Sequence, residues 1–137
     1  MSVQKDKRRP GKLTLPVMAR KHAKWVIQIT KNPKWFLPEY NHMVTDEIVL
    51  EAKNINRYIW SANNIVVNSP EDYEERRRAQ ETAARLCNDL LADIELAKSI
   101  FHLRGKRVKY WTETVVEIRN RTRAWIKSDA ERYKKYR

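Results

Sequence analysis

The chain has 137 residues and carries 29 Lys and Arg against 17 Asp and Glu, which gives a formal net charge of +12. A single domain of this length buries about 70% of its unfolded surface, enough for a core without disulfides or a metal. Glycine occurs only twice. A chain so poor in the residue that tight strand turns require is predicted to be all-α.

The positive charge is concentrated at the two ends of the chain. Residues 1–38 hold ten Lys and Arg against one acid, residues 39–103 hold seven against twelve, and residues 104–137 hold twelve against four. We therefore expect the first and last elements to meet a polyanion, with nucleic acid as the natural candidate. A membrane surface would attract the same charge, but amphipathic faces recur on several segments, which is typical of helices that bury them on each other.

Residues 1–12 are polar and basic, with a Pro-Gly break, and are predicted to form a disordered tail. They contain no apolar run of the kind found in signal peptides, and no other stretch approaches a membrane span. The single cysteine, Cys87, is predicted to be buried and suits a reducing compartment. The sequence thus predicts a cytoplasmic protein without membrane segments or cofactors.

The first helix is predicted over about residues 15–32, where Thr14 can act as its cap and Asn32-Pro33 ends the apolar repeat. In the connection that follows, Trp35 and Phe36 are predicted to pack onto the end of the bundle. The next helix has two possible starts, Pro38 in a first turn or Thr45 as a cap. A repeat of apolar residues at four and three positions predicts that this second helix spans about 45–67.

The third helix has the clearest predicted start, with Ser69 as cap, Pro70 in the first position and two acids in the first turn. Its apolar repeat runs to Phe101 and predicts a helix over about 70–103. Gly105 is expected to take the left-handed conformation that ends this helix. Its charged segment, Glu74 to Arg78, is predicted to be a solvent-exposed face of paired charges.

The fourth helix, predicted over about 106–134, carries an apolar stripe and a basic stripe. Arg119, Arg123 and Lys127 follow one another at steps of four, with no acid between residues 119 and 127. The apolar stripe is formed by Trp111, Val115, Ile118, Thr122 and Trp125. Four helices with short connections predict an antiparallel up-down-up-down four-helix bundle over residues 13–134.

The residue patterns predict no catalysis and no metal site. Glycine-rich phosphate loops are absent, and His22, His42 and His102 are far apart in sequence without a ligand spacing that binds metal. Helical ribonucleases of the HEPN type carry an arginine, then four to six residues, then a histidine, and no arginine precedes His42 or His102 at that distance. The tryptophans are predicted to pack in the core rather than to stack on bases, with Trp35 the least constrained.

The predicted function is therefore binding to phosphates, which confers affinity and salt dependence without sequence readout. The predicted nucleic-acid-binding residues are Arg20, Lys24, Arg104, Lys106, Arg107, Lys109, Arg119, Arg121, Arg123 and Lys127.

Four sequence features carry a resemblance to a known family. They are NPK at 32–34, Ala62-Asn63 late in helix two, a leucine-rich third helix, and KYWTETVVEI followed by AWIKS at 124–128. Over about residues 13–130 the chain resembles the four-helix-bundle family of the accessory variability determinant (Avd) of diversity-generating retroelements, with relatives encoded in 23S rRNA intervening sequences. Where that family commonly has glycines after EI and before WIK, this chain has Arg119 and Arg123-Ala124.

The resemblance implies a homopentamer that binds a reverse transcriptase and its structured template RNA as a non-catalytic accessory factor. An rRNA-associated bundle, or a purely structural self-assembling bundle, is the alternative. Five-fold symmetry and the polymerase come from the resemblance alone.

Overall fold

The computed structural model describes residues 13–137, so the tail predicted for residues 1–12 lies outside the described range. Within that range the chain forms helices and no strands, which confirms the predicted all-α class. The four α-helices are α1 (Leu15–Thr30), α2 (Asp46–Asn63), α3 (Pro70–Phe101) and α4 (Gly105–Arg132). Consecutive helices pack against each other, and α1 also contacts α4. None of the helices in residues 13–137 combines the length and the apolar character needed to cross a bilayer.

The predicted start of α3 is confirmed in atomic detail. Ser69 has an extended backbone, and its hydroxyl oxygen accepts a hydrogen bond from the Asp72 backbone N–H at 3.1 Å. Pro70 occupies the first helical position, where its missing N–H would have had no partner in any case. At α1 the helix also begins directly after the predicted residue, but the Thr14 hydroxyl makes no capping hydrogen bond.

Of the two predicted starts of α2, Pro38 opens the helical backbone that leads into this helix, and Thr45 does not act as a cap. Pro38 opens a 3-10 turn, Pro38–Tyr40, which leads into a π-helical turn, Asn41–Thr45, and then into α2 at Asp46. Thr45 has helical backbone angles and makes no side-chain cap, because the chain is already helical when it reaches this residue.

Two details of the predicted helix ends are wrong. His102, not Gly105, takes the left-handed conformation after α3, with φ 54° and ψ 47°, and Gly105 is the first residue of α4. After α2, Val66 lies within the predicted helix 45–67 but is 74% exposed, while Val67 is buried. The reason is that α2 already ends at Asn63, so the helical spacing no longer sets which side chains face the core.

The core contains side chains from all four helices and from the connection after α1. Phe36 is buried there, with its ring 5.1 Å from that of Phe101 and 6.3 Å from that of Trp111. This confirms that the connection packs onto the bundle. The apolar stripe of α4 is also buried from Trp111 to Thr122, while Trp125 at its end is half-buried.

Candidate nucleic-acid interface

The first turn of α4 has an unfavourable charge distribution for a helix start. The sequence Arg104-Gly105-Lys106-Arg107 places three cations where the helix dipole is positive, with no acid in the first turn and no side-chain cap. Each such cation costs roughly 0.3–1 kcal/mol at an exposed site. By contrast, α3 begins with Ser69 and two acids. A bound anion would reverse the cost at α4, because the dipole, the free backbone N–H groups and the cations would all attract it.

The same cations lie beside exposed aromatic surface. Arg104, Lys106 and Arg107 line a pocket of about 490 Å³ together with Trp25, Ile29 and Tyr110. The lining drawn from residues 13–137 includes no acidic side chain. We call this the α1–α4 basic pocket. The pocket lies between the C-terminal half of α1 and the first turns of α4.

The aromatic side chains around the pocket are held in fixed orientations. The rings of Trp25 and Tyr110 pack edge to face at 5.3 Å, and Tyr110 remains 57% exposed. The guanidinium of Arg107 lies over the ring of Trp35, 3.5 Å from its centroid. A pocket that pairs cations with an accessible aromatic ring can hold a phosphate and stack a base at the same time.

A second group of predicted cations lies on the side of α4 that faces α3. Arg123 and Lys127 are exposed, and Lys109 lies at the same angle around the helix axis as Lys127. We call Lys109, Arg119, Arg123 and Lys127 together the α3–α4 basic edge. Arg119 is half-buried and donates from Nη1 to Asn88 Oδ1 at 3.0 Å.

Burial raises the pKa of the Cys87 thiol to about 12, and the nearby charges of Arg119 and Arg123 oppose this rise in part.

Three predicted binding residues belong to neither group. Arg121 donates to Glu117 Oε2 at 2.7 Å and to the Leu13 carbonyl at 2.6 Å, so its charge is already paired. Arg20 and Lys24 are exposed on α1 but do not line the basic pocket. The ten predicted cations therefore separate into a pocket, an edge and three isolated positions.

The aromatic members of the surface were not predicted from the sequence. Trp25 is half-buried rather than fully packed, and Tyr110 is absent from the predicted binding residues. Trp60 is 60% exposed, so the prediction that the tryptophans are core residues is wrong at this position. The cations at the start of α4 are visible in the sequence and are unfavourable for a helix start. Such departures from the local rules of helix formation occur most often at functional sites, so they indicate a binding site here.

The charged segment at the start of α3 also differs from its prediction. Arg76 is buried and forms a two-pronged ion pair with Asp129 of α4, donating from Nε at 2.6 Å and from Nη2 at 3.1 Å. Gln80 Nε2 adds a third donor to Asp129 Oδ2 at 2.8 Å. The rest of that segment is exposed as predicted. The ion pair joins α3 to the C-terminal half of α4.

His22 is buried and neutral beside the centre of the bundle. Trp111 Nε1 donates to His22 Nε2 at 3.1 Å, so the imidazole carries its proton on Nδ1, which has no partner within residues 13–137. Burial lowers the pKa of His22 to about 4. A cavity of about 330 Å³ lies against this histidine, lined also by Trp25, Tyr110 and Glu113.

Comparisons with known proteins add no family to this description. No protein-family model, no curated protein and no solved structure matches the chain.

Proposed function

We propose that this protein is a non-catalytic nucleic-acid-binding bundle whose ligand is a structured RNA. The main binding site in this proposal is the α1–α4 basic pocket. One observation carries the proposal: Arg104, Lys106 and Arg107 surround the uncapped start of α4 and share a pocket with Trp25 and Tyr110. Three cations would neutralise phosphates, and the accessible ring of Tyr110 offers a face on which an unpaired base can stack.

The α3–α4 basic edge offers a second group of cations on the side of α4 that faces α3. Arg123 and Lys127 are exposed at successive turns, about 6 Å apart along the helix axis. That rise is close to the spacing of successive phosphates in a nucleic-acid strand, so one strand can contact both cations. Interactions of this kind favour any RNA of suitable shape over a particular sequence.

The finer assignments are proposals of the same kind. Short connections between helices that pack consecutively support an antiparallel up-down bundle. The resemblance to the Avd family supplies the retroelement reverse transcriptase, its template RNA and the homopentamer, and the composition suggests the cytoplasm. Exposed apolar side chains on and beside α2, among them Met43, Leu50 and Trp60, favour self-association.

The pocket is tested with paired charge removals of equal size. The pocket variant loses two exposed cations through Arg104→Gln and Lys106→Gln. The edge variant loses two through Arg123→Gln and Lys127→Gln. The control variant loses two exposed cations of α2 through Lys53→Gln and Arg57→Gln. Fluorescence anisotropy with a labelled stem-loop RNA measures the affinity. Because two phosphates are no longer neutralised, binding near 0.15 M salt should weaken by roughly ten-fold in the pocket and edge variants.

The stacking part of the proposal has its own test. Tyr110→Ala leaves the charge unchanged and is expected to weaken binding to an RNA with unpaired bases by about 1–3 kcal/mol, with less effect on a blunt duplex.

In the charge-removal test, equal losses of affinity in the pocket variant and the α2 control would show non-specific attraction to net charge and would contradict the proposal. Circular dichroism confirms that each variant stays folded.

A structural, self-assembling bundle without an RNA role is the second candidate, favoured by the exposure of Trp60 and Leu50. Light scattering of the protein alone and with RNA separates the two. A defined oligomer that ignores RNA would support this second function, whereas an RNA-dependent mass increase supports the first.

A further inference from the structure

A group of acidic side chains lies between α2 and α3, outside the basic surfaces. One carboxylate oxygen from each of Glu47, Glu51 and Asp93 lies within 4.8 Å of the other two. Glu47 and Glu51 are one helical turn apart on α2, and Asp93 comes from α3. The carboxylate of Asp89, one turn before Asp93 on α3, is close enough to act on Glu51 electrostatically.

Within residues 13–137 these acids have no ion-pair partner, although the chain as a whole is strongly basic. None of the four takes part in an ion pair among residues 13–137, whereas Glu74, Glu81, Glu117 and Asp129 all do. The neighbouring carboxylates of Asp93, Glu47 and Asp89 all disfavour the charged form of Glu51. Like charges held this close destabilise the fold unless something neutralises them.

Glu51 supplies an independent sign that a ligand belongs here. The residue is only 9% exposed, and its Oε1 atom is buried without a hydrogen-bond partner in the described part of the chain. A buried carboxylate oxygen without a partner is costly, and such atoms are rare in folded proteins. Burial first, and then the nearby carboxylates of Asp93, Glu47 and Asp89, raise the pKa of Glu51 to about 9.

We propose that Glu47, Glu51 and Asp93 form a site for a hard divalent cation that joins α2 to α3, with Asp89 beside it. Carboxylate oxygens without nitrogen or sulfur ligands select Ca²⁺, Mg²⁺ or Mn²⁺. Two oxygens on opposite sides of Ca²⁺ are about 4.6–5.2 Å apart, because each bond is about 2.3–2.6 Å. The three carboxylate oxygens, each within 4.8 Å of the other two, are close enough to approach one such cation together.

A bound cation would neutralise carboxylates that lie close together and have no ion-pair partner among residues 13–137. The site was not predicted because its ligands come from two helices that are distant in the sequence, and each acid alone is indistinguishable from a surface residue.

Calorimetric titration of the full chain with Ca²⁺, after chelator treatment, tests the site directly. We expect one equivalent to bind and the melting temperature to rise by several degrees, because the cation binds the folded chain only. Repeating the titration with Mg²⁺ ranks the two cations. None of these readouts depends on RNA.

Glu51→Gln is the decisive variant, because the neutral side chain has nearly the same shape and relieves the repulsion. It is expected to fold, to be at least as stable as the parent without metal, and to bind Ca²⁺ at least ten-fold more weakly. Glu95→Gln removes one exposed acid from α3 outside the cluster and serves as the matched control. Its Ca²⁺ affinity should equal that of the parent.

Two results would overturn the proposal. Absence of both Ca²⁺ and Mg²⁺ binding would mean that the cluster holds no divalent cation. An equal loss of affinity in Glu51→Gln and Glu95→Gln would mean diffuse attraction of cations to surface acids. Asp93→Asn provides a second variant of the cluster and should behave as Glu51→Gln does.

Discussion

Replacing Asp129 by alanine should destabilise the bundle more than any exposed charge removal. The Asp129 carboxylate is 3% exposed and accepts three hydrogen bonds, two from Arg76 and one from Gln80. The Asp129→Ala variant leaves the Arg76 guanidinium, itself 11% exposed, without its counter-charge. Breaking a buried ion pair in this way costs about 3–5 kcal/mol.

The structure also explains why Arg76 cannot easily move into solvent. Its Nη1 donates to the Ile65 carbonyl at 3.3 Å, and its guanidinium carbon lies 5.1 Å from the ring centroid of Trp125 and 5.7 Å from that of Tyr133. These interactions keep the charge at the α3–α4 boundary after Asp129 is gone. In a chain of this size the destabilisation corresponds to a melting temperature lower by roughly 10–20 °C.

Urea denaturation followed by circular dichroism measures the free energy of unfolding. Glu81→Ala breaks the exposed Arg77–Glu81 pair and is the matched control, with an expected destabilisation of about 0–1 kcal/mol. Arg76→Met combined with Asp129→Leu removes both charges and should be more stable than Asp129→Ala alone. A destabilisation below about 1 kcal/mol for Asp129→Ala would refute the reasoning, because it would mean that Arg76 is readily solvated.

Two further predictions concern single histidines. Burial lowers the pKa of His22 from 6.5 to about 4, so the unfolded chain binds the proton more tightly. This contribution to stability is present above about pH 6.5 and is lost as pH falls towards 4. Urea titrations at several pH values should therefore show that the free energy of unfolding of His22→Gln changes less with pH over that window. The same pH dependence in the variant and the parent would contradict this prediction. His102 is exposed in the left-handed region, so His102→Gly should raise the free energy of unfolding by about 0.5–1 kcal/mol, and a decrease in thermal melts would show that the imidazole itself is needed.

The helices could be predicted because local chemistry and burial agree along most of the chain. Ser69 and Pro70 define the start of α3 by the groups that they supply or omit, and this needs no tertiary information. The stripe from Trp111 to Thr122 is buried because its spacing matches the helical period. His102 could not be predicted, since glycine was the expected left-handed residue and Gly105 lay only three positions later.

The candidate sites were predicted less completely, because they depend on helices that are distant in sequence. The cations at the start of α4 were identified, but Trp25 joins them only through the packing of α1 on α4. Arg76 and Asp129 each look like surface charges until α3 and α4 meet. Glu51 is equally unremarkable alone, and only its position against Asp93 shows the acidic cluster.

The salt dependence of RNA binding by the unmodified chain and by the Arg104→Gln, Lys106→Gln variant tests the RNA site most directly. We expect log K to fall linearly with log salt, and the slope to become shallower in the variant by about 0.7 for each single-stranded phosphate that is no longer neutralised. The Lys53→Gln, Arg57→Gln control should keep the parent slope. Affinity that does not change with salt, or one slope shared by all three proteins, would contradict the assignment of the α1–α4 basic pocket as the RNA site.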